Sequence, residues 1–382
     1  MIKVEQELGL AGEFQVIVRR PDGSVKLDTG MQPNLILDNG IKHYLRVPMV
    51  NNLGKQQDKV HNGFMNNCYV GTGNKPPAHS DFALQNFVSR NKSSTEWTFG
   101  QEEPAQGLHE GFVKLWKRGK YIFDDINNKN ITEVGLVVWF GDETIGGQRY
   151  QNAYTLVTRA LIKDGSGSPI SVTVLPGEVL EVIYQINMYI DIKRQTGTFT
   201  VTTSKDGNDT VDTFEYFLQP YGLGSANYIY GGLSYHVNTH GATTWGVKET
   251  DAELTAAYDL NAPNYAALTH LDITKLNSMV TTEKTSIGGR QSRYDEDYMQ
   301  SEEIERSYDL RRVSYKNTCG IYTHLHPNGI RAYRISVGYG EWQTIVSGLV
   351  VIKNRANGQG IKKTNRQLWE FTHSFTINRW NG

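Results

Sequence analysis

Two histidine pairs are the first residues here whose types and spacing suggest chemistry. His324-Leu325-His326 would set two imidazoles on one face of a strand, and His236 with His240 would do so on a helix, as a transition metal requires. Neither pair has a third ligand nearby, and residues 235–244 read as strand or loop, so no metal centre is expected. Asp124-Asp125-Ile126-Asn127-Asn128-Lys129-Asn130 crowds oxygen donors together. Lys129 stands where a calcium loop needs another donor and the closing bidentate glutamate is missing, which leaves a plain turn. Gly71-Thr72-Gly73 ahead of a helical pattern has the outline of a phosphate cradle. It lacks Gly-Lys-Ser/Thr, and Pro76 and Pro77 separate the glycines from the helix, so no nucleotide or other cofactor is expected. No Gly-x-Ser-x-Gly nucleophile elbow occurs. Carboxylates for sugar cleavage come from distant parts of a chain, and their separation is not legible in a sequence. Tyr221, Tyr228, Tyr230, Tyr235 and Trp245 fall in a glycine-rich stretch and are candidates for a subunit interface or for stacking on sugars, with packing of a loop-rich lobe the plainer role.

The elements that hold these residues are mostly strands. Cys68-Tyr69-Val70 reads as a short strand that ends in a turn needing glycine torsions at Gly71 and Gly73, around Thr72. Pro76 and Pro77 keep the chain extended. Ser80 is placed to cap a helix, Asp81 suits its positive end, and Leu84, Phe87 and Val88 recur at helical spacing, which predicts a short helix near 80–90. Asn34 is expected to cap an earlier helix near 34–46, since it follows Pro33 and precedes Asp38, Gly40 and a face of Leu37, Ile41, Tyr44 and Leu45.

Glycine at 38 residues, tyrosine at 21 and strand-like runs between Asp-Gly turns predict an all-β fold, mainly an antiparallel β-sandwich of immunoglobulin-like or jelly-roll-like type. Residues 14–18 and 25–29 flank Pro21-Asp22-Gly23 as a hairpin. Further strands are expected at 111–117, 119–123, 131–140, 153–162, 171–175 and 179–192. In the last of these, Leu180, Val182, Tyr184, Ile186, Met188 and Ile190 form the core face, and the other face ends in polar residues. The run 131–140 is apolar on both faces beyond Gly135, as in a central strand. The expected division is a core domain over 1–195, an inserted or second lobe over 196–320, and C-terminal strands over 321–382 that return to the core. Within the lobe, residues 294–312 carry Glu302, Glu303 and Glu305 ahead of Arg306, Arg311 and Arg312, the charge order of a short exposed helix. The run 367–379 alternates and should close the first sheet.

A chain of 382 residues can bury a full core. Its 39 basic and 40 acidic residues cancel to a net charge of -1, which gives no overall reason to bind nucleic acid or an anionic membrane. Cys68 and Cys319 are too few and too far apart for a disulfide framework or a zinc site, as fits the cytosol. No apolar run approaches the roughly 20 residues of a membrane span, and the start lacks the layout of a signal peptide, so a soluble product is expected.

Residues 34–40, 69–88 and 158–189 together resemble the virion proteins of tailed bacteriophages, and Trp380 is similar to the aromatic ending of that group. The resemblance implies a non-enzymatic tail, collar or neck, or tail-fibre-type component, with no shared active site. It implies a homo-oligomer, as trimer, hexamer or higher ring, contacting other tail or neck proteins in the virion after synthesis in the bacterial cytoplasm. The alternative is a receptor-binding or polysaccharide-degrading appendage that touches a host surface glycan. Collagen-like triplets, sustained heptads and repeated blades are missing, which speaks for a compact piece over a slender shaft.

Overall fold

The computed structural model describes residues 3–45, 47–57, 67–91, 94–102, 111–145, 148–191, 193–221, 279–281, 285–286, 300–319, 332–338, 344–362 and 369–381. The first segments give β1 (Lys3–Arg19), β2 (Val25–Asp28), β3 (Gln32–Ile36), α1 (Asp38–Leu45), β4 (Met49–Val50), β5 (Gln56–Gln57), β6 (Asn67–Gly71), β7 (Phe87–Arg90) and β8 (Ser94–Glu102). There follow β9 (Phe112–Phe123), β10 (Lys129–Ile131), β11 (Glu133–Ile145), β12 (Gln148–Leu156), β13 (Thr158–Leu161), β14 (Val172–Val174) and β15 (Val179–Asp191). The fold is all-β and mostly antiparallel, with one short helix among the described residues.

β1 organises it. One edge of β1 pairs with β15, which pairs in turn with β9, and β9 with β8. Its other edge takes β3, and beyond β3 the order runs β13, β11, β6 and β7. Alternate residues of the two arms meet in a single core: Leu8, Leu10, Phe14, Val16 and Val18 from β1, Leu180 to Ile190 in steps of two from β15, and Val134, Leu136, Val138 and Phe140 from β11. That common core gives the molecule its sandwich character, and every residue expected on the core face of β15 is buried. Lys117 also points inward, between Leu115 and Gly119 on β9, and burial lowers its ammonium pKa to about 8. The opening hairpin forms as expected, with Ile17 opposite Asp28 and Val18 opposite Leu27. The two runs 111–117 and 119–123 are one continuous strand, because Gly119 keeps its place opposite Tyr184.

The chain then enters a second sheet with β16 (Gln195–Lys205), β17 (Asn208–Tyr221), β18 (Met279–Thr281) and β19 (Thr285–Ser286). It returns to the first with β20 (Gln300–Ser307) and β21 (Arg312–Cys319), continues in the second with β22 (Ala332–Gly338) and β23 (Thr344–Asn354), and comes back with β24 (Trp369–Arg379). β24 lies parallel to β1 and closes the first sheet as its alternation predicts. The two strands before it differ from expectation: β22 and β23 pair with β17 through β23 and do not return to the core. Phe371 of β24 joins Phe214, Leu218, Val350 and Ile352 and so links the small core of the second sheet to the first.

The helix expected from the charge order of 294–312 is instead the hairpin of β20 and β21 over its described part. The charges find partners across strands: Glu305 takes Arg312 at 2.6 Å, and Lys316 takes Glu370 of β24 at 2.7 Å. Arg306 pairs with Glu303 and donates to the carbonyl of Leu45 at the C-terminus of α1, where a cation is favoured.

Candidate functional site

The residues that carry the resemblance come together around Glu133, at the start of β11. Its carboxylate is fully buried, and Oε1 accepts the backbone N–H groups of Gly73 at 2.9 Å and Asn86 at 3.0 Å. Oε2 accepts the N–H of Gln85 at 3.3 Å and the Nε of Arg159 at 2.9 Å. Arg159 on β13 is itself only 2% exposed and forks from Glu133 to Asp81 at 2.7 Å and to the carbonyl of Lys75 at 3.1 Å. Asp81 in turn accepts the N–H of Ala78 at 2.8 Å. The loop 72–86 is thus laid across the outer face of β11 by one buried carboxylate and one guanidinium, a charge-assisted arrangement that satisfies backbone donors which have no sheet partner.

This corrects two expectations. No helix forms near 80–90: residues 81–86 are irregular and Phe87–Arg90 is strand β7. The helical spacing of Leu84, Phe87 and Val88 is overridden because the backbone bonds elsewhere. The carbonyl of Phe82 accepts Leu156 N–H, that of Asn86 accepts Thr72 N–H, and the N–H groups of Gln85 and Asn86 go to Glu133. Ser80 therefore caps nothing, and Asp81 serves Arg159. Leu84 still docks, buried among Leu37, Tyr69, Val137, Tyr154 and Leu156. Pro77 stands before it, between β6 and β7, outside any strand or helix.

The glycines, too, have a different cause from the one expected. Neither Gly71 nor Gly73 has a positive φ; each is needed because other atoms come close. A methyl at Gly71 would lie 2.4 Å from the carbonyl oxygen of Asn86, and one at Gly73 would lie 2.3 Å from Glu133 Oε1. Gly71→Ala is expected to lower stability by about 1–3 kcal/mol, the range for overpacking against an immovable backbone. Urea unfolding would measure it, and an unchanged midpoint would show that the loop can back away.

α1 begins at Asp38, four residues after the expected cap. Asn34 is still in strand β3 opposite Gly12, and the carbonyl of Leu37 receives the first helical N–H bonds, from Gly40 and Ile41. The helix is tied into the same node. Asp38 N–H donates to the carbonyl of His79 at 2.8 Å, and a methyl at Gly40 would meet the carbonyl of Val157 at 2.6 Å. Arg379 of β24 pairs with Asp38 and donates to the carbonyl of Ile36. Burial would raise the Asp38 carboxyl, but its hydrogen bonds to Tyr308 and Arg379 outweigh that and hold it below the usual range.

The node leaves a phosphate nowhere to bind. The backbone donors it would need are already held by a carboxylate. Asn128 takes a positive φ of 53° in the turn between Asp124 and Asn130, and Asp125 is taken up by Ser89. Among the described residues no group of three or more His, Cys, Asp or Glu converges as metal ligands. A groove of about 250 Å³ on the second sheet is lined by Thr196, Thr198, Glu215, Phe217, Val351 and Lys353. Its carboxylate is hydrogen-bonded by Arg355, which lowers its pKa and unsuits it to donate a proton. Tyr221 ends β17 opposite Ser347. Tyr228, Tyr230, Tyr235 and Trp245, and the histidine pairs His236/His240 and His324/His326, lie outside the described residues.

Sequence reasoning missed Glu133 and Arg159. The signal was an acid at the head of the apolar run Val-Gly-Leu-Val-Val and a base inside Thr-Arg-Ala-Leu, opposite charges set against apolar stretches of two strands. Among the described residues no helix is long and apolar enough to cross a membrane. Comparison with protein-family models, with curated proteins and with solved structures finds no match to the chain.

Proposed function

We propose that this chain is a non-enzymatic building block of a tailed-bacteriophage particle, in the tail, the neck or collar, or a fibre attachment, acting through contacts with its own copies and with neighbouring tail or neck proteins. The observation that carries the reading is the use made of the three segments behind the resemblance. Gly71, Gly73, Asp81, Leu84, Glu133 and Arg159 spend their bonding capacity on one another and on backbone, which is a design for holding shape. A particle part needs a rigid frame with projecting contacts, and the frame here carries a projection.

The hairpin of β16 and β17 pairs from Gln195–Leu218 to Lys205–Asn208, but β23 flanks it only from Phe214 onward. Its outer half stands as a two-stranded arm among the described residues, with Val211 60% exposed near the tip. A lone two-stranded ribbon is marginal in water and gains from a neighbour. Val211→Lys is expected to weaken self-association roughly tenfold, about 1.4 kcal/mol, without changing the melting temperature. Light scattering across a dilution series would measure it. An electron cryo-microscopy map of the whole particle tests the reading itself: ordered symmetric copies in the tail or neck are the expected result, and absence from the particle would sink it.

A further inference from the structure

β16 forms the outer edge of the second sheet among the described strands, paired with β17 from Gln195 to Lys205 without a break in register. An outer strand carries a row of backbone N–H and C=O groups on its far side, and native proteins blunt that row with a bulge, a charge, a proline or a short length. The other described strands with a single neighbour follow this rule. β2, β7, β8, β12 and β20 each lose register with that neighbour. β8 also carries Glu96 and Glu102, and β20 carries Glu302, Glu303 and Glu305. β4, β5, β10, β14, β18 and β19 are no longer than three residues. β16 has none of these guards: Gln-Thr-Gly-Thr-Phe-Thr-Val-Thr-Thr-Ser runs without charge, proline or bulge up to Lys205. An edge of this kind is a template for another strand.

The side chains of β16 divide by chemistry. Thr196, Thr198, Thr200 and Thr202 point to one side and are exposed. Phe199 and Val201 point to the other, where they are half-buried against the small core of Phe214, Leu218, Val350 and Ile352. Phe199 lies nearly parallel to Phe214, with ring centroids 5.4 Å apart and 14° between planes. The same edge therefore ends both a hydrogen-bonded ladder and an apolar cluster, and one added strand would extend the two together.

The strand that fits is β16 of a second copy. A two-fold axis normal to the sheet sets two β16 strands antiparallel and keeps each face on its own side. Centred on Thr200, it places Phe199 opposite Val201 of the second copy, an aromatic against a β-branched side chain, and Thr198 opposite Thr202; both are favoured cross-strand pairs. No like charges meet across the axis, because Thr196 to Ser204 carry none. A foreign strand would supply backbone bonds but has no fixed reason to alternate threonine with apolar residues in this phase, whereas a second copy does so by identity. Pairing also changes the standing of the arm. Each arm is two strands wide where β23 does not flank it, before Phe214, and two such arms joined along β16 make a four-stranded ribbon, past the width at which strands become stable in water.

We propose that β16 is a dimerisation edge, pairing antiparallel with β16 of a second copy about a two-fold axis at Thr200. The proposal deepens the assembly reading by naming one contact between copies, and it rests on that reading for self-association. A hexamer or ring of dihedral symmetry contains such an axis and a simple trimer does not. Sedimentation equilibrium of the full chain across a dilution series is the test, and reversible pairing with a dissociation constant on the order of 10 μM or tighter is expected. Thr200→Lys sets like charges against each other across the axis, and Thr200→Glu does the same with the opposite sign; each alone should weaken pairing roughly tenfold. Mixed in equal amounts, the two should pair with each other at close to parental affinity, a recovery that a general loss of fold would not give. Thr200 is exposed, and melting curves check that both variants stay folded. A gentler replacement, Thr200→Cys with Cys319→Ser, should form a covalent dimer on mild oxidation, since opposed Cα atoms lie about 4.5–5.5 Å apart, within reach of a disulfide. Cys68 is buried and does not compete. A parent that stays monomeric throughout the series, charge variants that pair as the parent does, a mixture that fails to recover, or no covalent dimer would overturn the proposal. Self-association indifferent to Thr200 leaves the assembly reading in place with its contact elsewhere. A β16 pair in a chain that is absent from the particle sinks that reading and leaves this one standing.

Discussion

Replacing Glu133 by alanine is expected to lower the free energy of unfolding by about 3–5 kcal/mol, the range seen when one partner of a buried ion pair is removed. Arg159, 2% exposed, would keep only Asp81 as a counter-charge, and the N–H groups of Gly73, Gln85 and Asn86 would lose their acceptor together. Glu133→Gln separates the two contributions, because an amide oxygen can still accept from the backbone while the charge is gone; a loss clearly smaller than for alanine is expected. Urea unfolding of the two variants measures both. If alanine costs less than about 1 kcal/mol, loop 72–86 is held by Leu84 and its apolar neighbours, and the node is not the keystone described above.

The second large effect is a dependence on pH. His373 on β24 is fully buried, stacked on Tyr315 at 5.4 Å and met edge-on by Phe375 at 5.0 Å. Burial lowers its pKa from 6.5 to about 3, so the ring stays neutral in the folded protein across the physiological range. The sign follows from proton uptake. Between those two values the unfolded chain binds a proton that the folded chain refuses, so this contribution to stability is fully present above pH 6.5 and is lost as pH falls toward 3. The slope approaches about 1.4 kcal/mol per pH unit for the one site. Asp38, Glu178 and Glu215, whose pKa values are lowered, add their own losses only further down, below the ordinary carboxylate range. Unfolding curves at intervals between pH 7 and pH 5, for the parent and for His373→Phe, isolate the histidine. A parent slope that survives in the variant would place the titration elsewhere.

What the sequence made legible was whatever repeats at short range. Alternation in 179–192 gave the right core face, Asp22-Gly23 gave a true hairpin, and the two-sided apolarity after Gly135 marked a strand buried on both faces as far as Val138, with Leu84 covering Val137 on the outer side and Trp139 exposed beyond it. What failed was whatever depends on partners far along the chain. Leu84, Phe87 and Val88 have helical spacing, yet Asp81 bonds to a guanidinium 78 residues on and Asn86 to a carboxylate 47 residues on. Propensity yields to such bonds when they are buried. Asn34 was misplaced for the same reason, since its pairing opposite Gly12 outranks its talent as a cap. The charges of 294–312 were read as a helix, yet their described part forms a hairpin, held by the lie of β24 beside β21.

The parallel seam between β1 and β24 constrains how the polypeptide is born. Glu7 and Asn378, joined by a side-chain hydrogen bond, are 371 residues apart in the chain. Until β24 is made, Lys3–Glu7 of β1 have no partner among the described strands, since β15 begins opposite Leu8, and an unpaired edge of that kind invites strangers. The first sheet can be finished only once β24 has emerged, with Asn378 following Glu7 by 371 residues, which makes its closure a late event and makes the waiting nascent chain a natural client for chaperones.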